Sequence, residues 1–215
     1  MGKIDKNKQI KRESLLETAF RLFTSKGIQK TSISDIVEDA GVAKGTFYLY
    51  FKDKYDIRNK LIAHKSSEVF RKAELALRET GITGIEDQVV FLVDNIISQL
   101  VENQILLGFI SKNLSWGVFK NVLISGEDGE VDFYDIYHSM FHDEGQFDNP
   151  EVMVFMIIEL VGSTCYSAIL YGEPVGIDEL KPYILRTVKG IMAMHRITKE
   201  TGAEGGIQDE ICKKV

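Results

Sequence analysis

Residues 32–58 read SISDIVEDAGVAKGTFYLYFKDKYDIR, and this stretch decides the fold. Ser32 precedes Ile33, Ile36 and Val37, an i, i+3, i+4 apolar set that predicts a short amphipathic helix. Asp35, three residues after Ser32, completes a capping pair with aspartate in place of the usual glutamate. Gly41 can take the left-handed conformation that ends a helix without a Cβ penalty. A second helix then starts at Lys44-Gly45-Thr46, small and basic, and finishes aromatic at Phe47-Tyr48-Leu49-Tyr50-Phe51. Glycine costs about 1 kcal/mol against alanine inside a helix, so Gly45 makes sense where a slim face must approach a base edge or a sugar–phosphate closely. Asp53, with Asp56 three further on, predicts the cap of a third helix. Lys52 and Lys54 flank that cap, where lysine charge and unpaired backbone amides can share one phosphate. The order of these elements is that of a helix-turn-helix.

Taken with the preceding helix, residues 10–62 resemble the DNA-binding domain of TetR-family transcriptional regulators. The resemblance rests on Leu22-Phe23-Thr24-Ser25-Lys26-Gly27, then Thr31-Ser32-Ile33-Ser34-Asp35-Ile36, then Ala40-Gly41-Val42-Ala43-Lys44-Gly45-Thr46-Phe47-Tyr48-Leu49-Tyr50-Phe51, then Lys52-Asp53-Lys54. It covers roughly a quarter of the chain. Three positions depart from the family pattern: Val37 for alanine, Ala43 for a serine that would cap the second helix, and Tyr55 for glutamate. The resemblance implies that Lys44, Gly45, Thr46 and Tyr48 face base edges and adjacent sugars. It implies that Thr31, Ser32, Tyr50, Lys52 and Lys54 hold phosphates. Phe47 and Phe51 then point inward toward Leu22 and Phe23, and Leu49 is left without a role.

Charge is divided to match. Residues 1–60 carry 13 Lys/Arg against 8 Asp/Glu, a net of +5, and the remaining 155 residues carry a net of −11. A basic head meets polyphosphate while an acidic body stays off it. Lys3, Lys6, Lys8, Lys11 and Arg12 are either an arm or first turn reaching the backbone, or a solvated, disordered terminus.

The remaining composition predicts an all-α chain. The resemblance implies its division into a three-helix head at residues 1–52 and a helical effector-binding and dimerisation body at 53–198, and the composition of residues 199–215 predicts a disordered tail. With 215 residues and 44% hydrophobic content it can bury a substantial core. Three prolines and few β-type alternations favour helices. There is no signal-peptide pattern in residues 1–10, and Cys165 and Cys212 make no disulfide framework, so the expected compartment is the cytoplasm. Residues 152–171 are long and apolar enough to span a bilayer. Glu159 near their centre and the lack of flanking basic clusters argue for burial on two faces instead, so no membrane partner is expected.

In the body, a linker helix is expected from Asp53 to Glu79, a break at 81–84, and helices at 85–102, 104–112 and 131–141. The last two helices, from Pro150 and from about Asp178, have apolar repeats suited to a four-helix bundle across a two-fold axis. The resemblance likewise implies a homodimer. Its interface is expected at Ile158, Gly162, Ile184, Val188 and Ile191, with Gly162 and Ser163 permitting either close helix approach or plain core packing. An apolar or aromatic small-molecule effector is expected at Phe91, Phe109, Trp116, Tyr134, Tyr137, His138, Phe155 and Tyr166, although such stripes are also ordinary core. His138 and His142 lie one turn apart, compatible with a metal or with solvated surface histidines. The hydrolytic glutamate is absent, and neither a metal nor a cofactor is expected.

Two functions follow. The first is a ligand-responsive regulator, which the resemblance implies is a repressor, acting as a homodimer on a palindromic double-stranded DNA operator and released by a small-molecule effector. The second is a small helical enzyme or carrier with a vestigial head, which no nucleophile–base pair or cofactor fingerprint supports.

Overall fold

The computed structural model describes residues 3–113, 137, 140–141 and 146–197. Eight helices fall within them: α1 (Lys3–Ser25), α2 (Ile33–Asp39), α3 (Lys44–Tyr48), α4 (Lys54–Arg78), α5 (Ile85–Glu102), α6 (Gln104–Asn113), α7 (Pro150–Leu170) and α8 (Ile177–Met194). No named strand occurs among the described residues. The single bridge, Phe147 with Arg196, ties the entry of α7 to the exit of α8. Trp116, Tyr134, His138, His142, Cys212 and residues 199–215 lie outside the described residues.

The caps form where the sequence provides them. The Ser32 hydroxyl accepts from the Asp35 amide at 3.1 Å, and the Asp35 carboxylate accepts from the Ser32 amide at 2.8 Å. That reciprocal box holds the Asp35 carboxyl at about 2, chiefly through the Ser32 amide and then Lys26. Gly41 closes α2 at φ +65°, in the left-handed region. Ala43 gives α3 no side-chain cap, as its missing hydroxyl predicts. At the start of α4, Asp53 accepts from the Tyr55 and Asp56 amides at 2.7 and 2.9 Å. Lys3–Arg12 are helical, the first turns of α1.

Two apolar clusters organise the chain. The first gathers Leu15, Leu16, Ala19, Leu22 and Phe23 of α1, Ile36 and Val37 of α2, and Phe47 and Phe51, with Ile57, Leu61 and Ile62 of α4. It does not close at residue 52: Val69 of α4 and Phe109 and Ile110 of α6 belong to the same cluster. The packing of this cluster therefore runs across the 52/53 position. The second cluster joins Val89, Val93 and Ile97 of α5 with Met153, Ile157, Val161 and Cys165 of α7 and Ile184, Val188, Ile191 and Met192 of α8. Lys181–Asp94 and Lys189–Asp87 ion pairs of 2.6 and 3.0 Å pin α8 to α5, and Arg196, just past the end of α8, pairs with Glu86 at 2.9 Å. Helix α7 is long and apolar enough to cross a membrane. Here Met153, Val154, Ile157, Val161, Cys165 and Ala168 along it are buried.

That packing corrects the expected dimer residues. Ile184, Val188 and Ile191 are buried inside the protomer, where α8 lies on α5 and α7. Ile158 and Gly162 border a cavity, and a Cβ built on Gly162 would meet nothing within 4 Å, so this glycine permits no close helix approach within the protomer.

Candidate nucleic-acid interface and body cavity

Helix α3 presents two faces. Phe47 is fully buried and Phe51 nearly so, their ring centroids 5.4 Å apart, in one cluster with Leu22 and Phe23. This anchors the helix from behind. On the other face Lys44 and Gly45 are exposed, Thr46 is half-exposed, and Tyr48 keeps 53% of its surface. The Tyr48 ring stands edge-on to Phe47 at 5.5 Å, which orients it without covering it. A Cβ at Gly45 would meet nothing, so nothing within the protein requires glycine there.

The flanks divide differently. Ser32 is exposed, and its oxygen already accepts the cap bond, leaving its hydroxyl hydrogen to donate outward. Lys52 is exposed and Lys54 half-exposed. Tyr50 is half-buried beside Phe51 at 6.3 Å, and its carbonyl accepts from Lys60 Nζ at 3.3 Å. Thr31 does not fit the phosphate role. It is 1% exposed, and its hydroxyl donates inward to the Gly27 carbonyl at 2.9 Å, closing the α1–α2 turn. The amides expected to share a phosphate at the start of α4 are also occupied: Asp53 takes those of Tyr55 and Asp56, and Asp56 takes that of Lys52 at 2.8 Å.

Two exposed residues had no assigned role in the sequence. Leu49 is 78% exposed at the end of α3. Tyr55 is exposed, with Lys54 Nζ 5.8 Å and the Arg58 guanidinium 5.4 Å from its ring centroid. An apolar side chain held in water beside a basic surface is the signal that exposes Leu49, and it is invisible without coordinates.

The body holds an open cavity of about 420 Å³ between α4, α5, α6 and α7. Its wall is mostly aliphatic, with Phe70, Tyr137, Phe141 and Tyr166 as aromatic elements. Of the expected effector residues, Tyr137 and Tyr166 line it. Burial, then the charge of Glu151, raises the Tyr137 phenol above its ordinary value. Phe91, Phe109 and Phe155 do not line it. Phe91 faces a shallow groove with Gly81 and Asp94, Phe109 is buried against the head, and Phe155 lies on the outer side of α7. The hydroxyl of Ser66, a residue only 3% exposed on α4, stands in the cavity wall with no hydrogen-bond partner among the described residues. No metal-binding group of three or more side chains occurs among the described residues.

Residues 15–61 match the family described as bacterial regulatory proteins, tetR family. An HTH-type transcriptional regulator of uncharacterized role, YvdT from Bacillus subtilis, is 54% identical over 44 residues, 20% of this chain and 23% of that protein. The chain thus aligns with under a quarter of that relative's length. The regulator FadR from Bacillus subtilis, solved in complex with stearoyl-CoA, superposes with a TM-score of 0.54 at 18% identity, over 82% of this chain and 96% of that one. A TetR-family regulator from Streptomyces coelicolor gives 0.56 at 16% identity, over 86% and 96%. These structural likenesses establish a shared fold across head and body. The head of this chain therefore carries the DNA-binding domain of the tetR family of bacterial regulatory proteins, and head and body together share the fold of TetR-family regulators.

Proposed function

We propose that this chain is a ligand-responsive transcriptional repressor that binds a palindromic operator as a homodimer in the cytoplasm and is released by a small molecule held in the body cavity. The observation that carries the reading is the two-sided α3, with Phe47 buried behind and Lys44, Gly45 and Tyr48 free in front. Lys44, Gly45, Thr46 and Tyr48 meet base edges and sugars in the major groove. Ser32, Tyr50, Lys52 and Lys54 hold the flanking phosphates, and Leu49 adds an apolar contact. Two copies set about 34–36 Å apart reach successive major grooves.

The second copy docks on the outer sides of α7 and α8. Val152, Phe155, Met156 and Ser163 follow helical spacing on α7, and Tyr183, Thr187, Gly190 and Met194 on α8, all exposed in the protomer. Helix α4 links cavity to head. Ile57, Leu61 and Ile62 sit in the head cluster, while Ser66, Val69 and Phe70 line the cavity, about 13 Å from Ile57 to Ser66 at 1.5 Å per residue. An effector that packs better against one position of α4 than another biases the spacing of the two heads, and only that differential affinity drives release. The apolar wall suits a greasy body such as the acyl part of stearoyl-CoA, which the FadR neighbour holds.

The test is fluorescence anisotropy on DNA from upstream of the chain's own gene, at two salt concentrations, with sedimentation for mass. Specific, salt-sensitive binding by a dimer supports the reading. A protomer that stays single, or that binds no candidate operator, refutes it.

A further inference from the structure

We propose that Leu49 reads thymine, packing its side chain against the C5 methyl group that thymine, alone of the four bases, sets in the major groove. The inference rests on the operator reading above and deepens it, naming one base and the side chain that recognises it.

Leu49 follows Phe47 by two residues, and the backbone stays helical there. Its φ and ψ are −73° and −24°, and its amide donates to the Thr46 carbonyl at 3.3 Å. At 3.6 residues per turn, two steps place it about 160° around the axis from Phe47. Phe47 is fully buried, whereas Leu49, at 78%, is the most exposed large hydrophobic side chain among the described residues. The ring that anchors α3 from behind therefore fixes Leu49 at the centre of the front. Gly45 and Thr46, four and three positions earlier, share that side of the helix. A Cβ on Gly45 would meet nothing within 4 Å, so a notch stands open beside the leucine.

The surroundings choose the occupant. Lys44 and Lys52 are exposed and Lys54 is half-exposed, flanking Leu49 in sequence on both sides. Their ammonium groups suit a polyanion, and an apolar protein face would have to strip them of water. Most groups along the major-groove edge of duplex DNA are hydrogen-bond donors and acceptors, which an alkyl side chain would desolvate and leave unpaired. The thymine methyl carries no such cost, and contact with leucine removes both apolar groups from water. Leu49 thus favours thymine over the other three bases.

The experiment uses the full chain and the shortest duplex from upstream of its own gene that it binds in anisotropy titrations. Deoxyuridine replaces thymine one symmetric pair at a time, which removes the methyl and keeps every hydrogen-bonding group. At one pair, wild type should lose about tenfold in affinity, or about threefold for each half-site. Leu49→Ala should bind the thymine and deoxyuridine duplexes of that pair equally, with an unchanged thermal midpoint because the side chain lies in water. Lys54→Ala, which removes a phosphate contact, should weaken both duplexes and keep the wild-type ratio. The inference is overturned if no replacement costs wild type more than about twofold, or if Leu49→Ala keeps the wild-type ratio. A Leu49→Ala variant with altered sedimenting mass and intact DNA affinity also overturns it, assigning the leucine to a protein contact. In each of these cases the operator reading stands. Wild type that binds no upstream duplex overturns that reading, and this inference with it.

Discussion

Phe109 of α6 meets Phe20 of α1 edge-to-face, with ring centroids 5.3 Å apart and planes at 87°. Lys65 of α4 places its ammonium 5.6 Å from the centre of the same Phe20 ring. The contact joins body to head away from the covalent link. The next residues of α6, Ile110 and Ser111, line the cavity. Two routes, α4 and α6, thus run from cavity wall to head core.

Phe109→Leu and Phe20→Leu should each lower stability by about 1–1.5 kcal/mol, with a coupling of about 0.5–1.5 kcal/mol between them. A double-mutant cycle by urea unfolding measures this. Additive losses would mean that the two rings pack independently.

Tyr48→Ala should weaken operator binding at least about tenfold, as loss of a groove contact does, with little change in thermal midpoint because the ring is mostly outside. Lys54→Ala should weaken binding on every sequence and reduce the salt slope by about 0.9 per protomer. Anisotropy titrations across a salt series separate the two, since a base-reading residue alters sequence preference and a phosphate-holding one does not.

Much of this was legible in the chain. The starts of α2 and α4 and the breaks that follow them come from caps and breakers that act locally, Ser32 with Asp35, Gly41, Asp53, and the glycines at 81 and 84, whereas α3, expected to run to Phe51, ends at Tyr48. Residues whose role depends on the far side of a helix were not legible. Thr31 reads as a surface hydroxyl until the α1–α2 turn folds over it. Ile184, Val188 and Ile191 have the periodicity of an interface, but periodicity reports only that one face is buried, and α5 and α7 already bury it. Phe109 is one aromatic among many until the 112° bend between α5 and α6 turns it toward the head.

Gly41→Ala should cost about 1–2 kcal/mol. The residue sits at φ +65°, and the cost is backbone strain alone, since a Cβ there would touch nothing. Gly45→Ala, in open space at an ordinary backbone conformation, should leave stability level or raise it slightly, yet weaken DNA binding if that slim face enters the groove. Thermal melts beside binding isotherms distinguish strain from recognition.

Asp35 makes the capping box sensitive to acid. Its carboxyl is lowered from 3.8 to about 2, so the folded state holds the ionised form more firmly than the unfolded one does. The stabilisation is complete above about pH 4 and fades as pH falls toward 2. The stability difference between wild type and Asp35→Asn should be flat from pH 5 to 7 and shrink below 4. Urea unfolding at stepped pH measures it, and carbon NMR of the carboxyl should show a midpoint near 2.

Cys165 is buried, and burial pushes its thiol up to about 11. In a Cys212→Ser background the native protein should react with a thiol reagent far more slowly than the unfolded chain, because both access and the thiolate fraction are suppressed.

Ser66→Ala removes the one hydroxyl in the cavity wall that is buried and unpaired among the described residues. Unfilled, the cavity leaves that hydroxyl unsatisfied, so the substitution should leave the ligand-free protein as stable as wild type or more stable by up to about 1 kcal/mol. With a bound effector that pairs with the hydroxyl, the sign reverses: the alanine variant should bind it about fivefold or more weakly, and the ligand-induced rise in thermal midpoint should shrink. Because Ser66 lies on α4, the same variant should need more effector to leave its operator, while its affinity for that operator without effector stays unchanged. A variant destabilised without ligand would show that the hydroxyl is already satisfied, and that no occupant is needed to complete it.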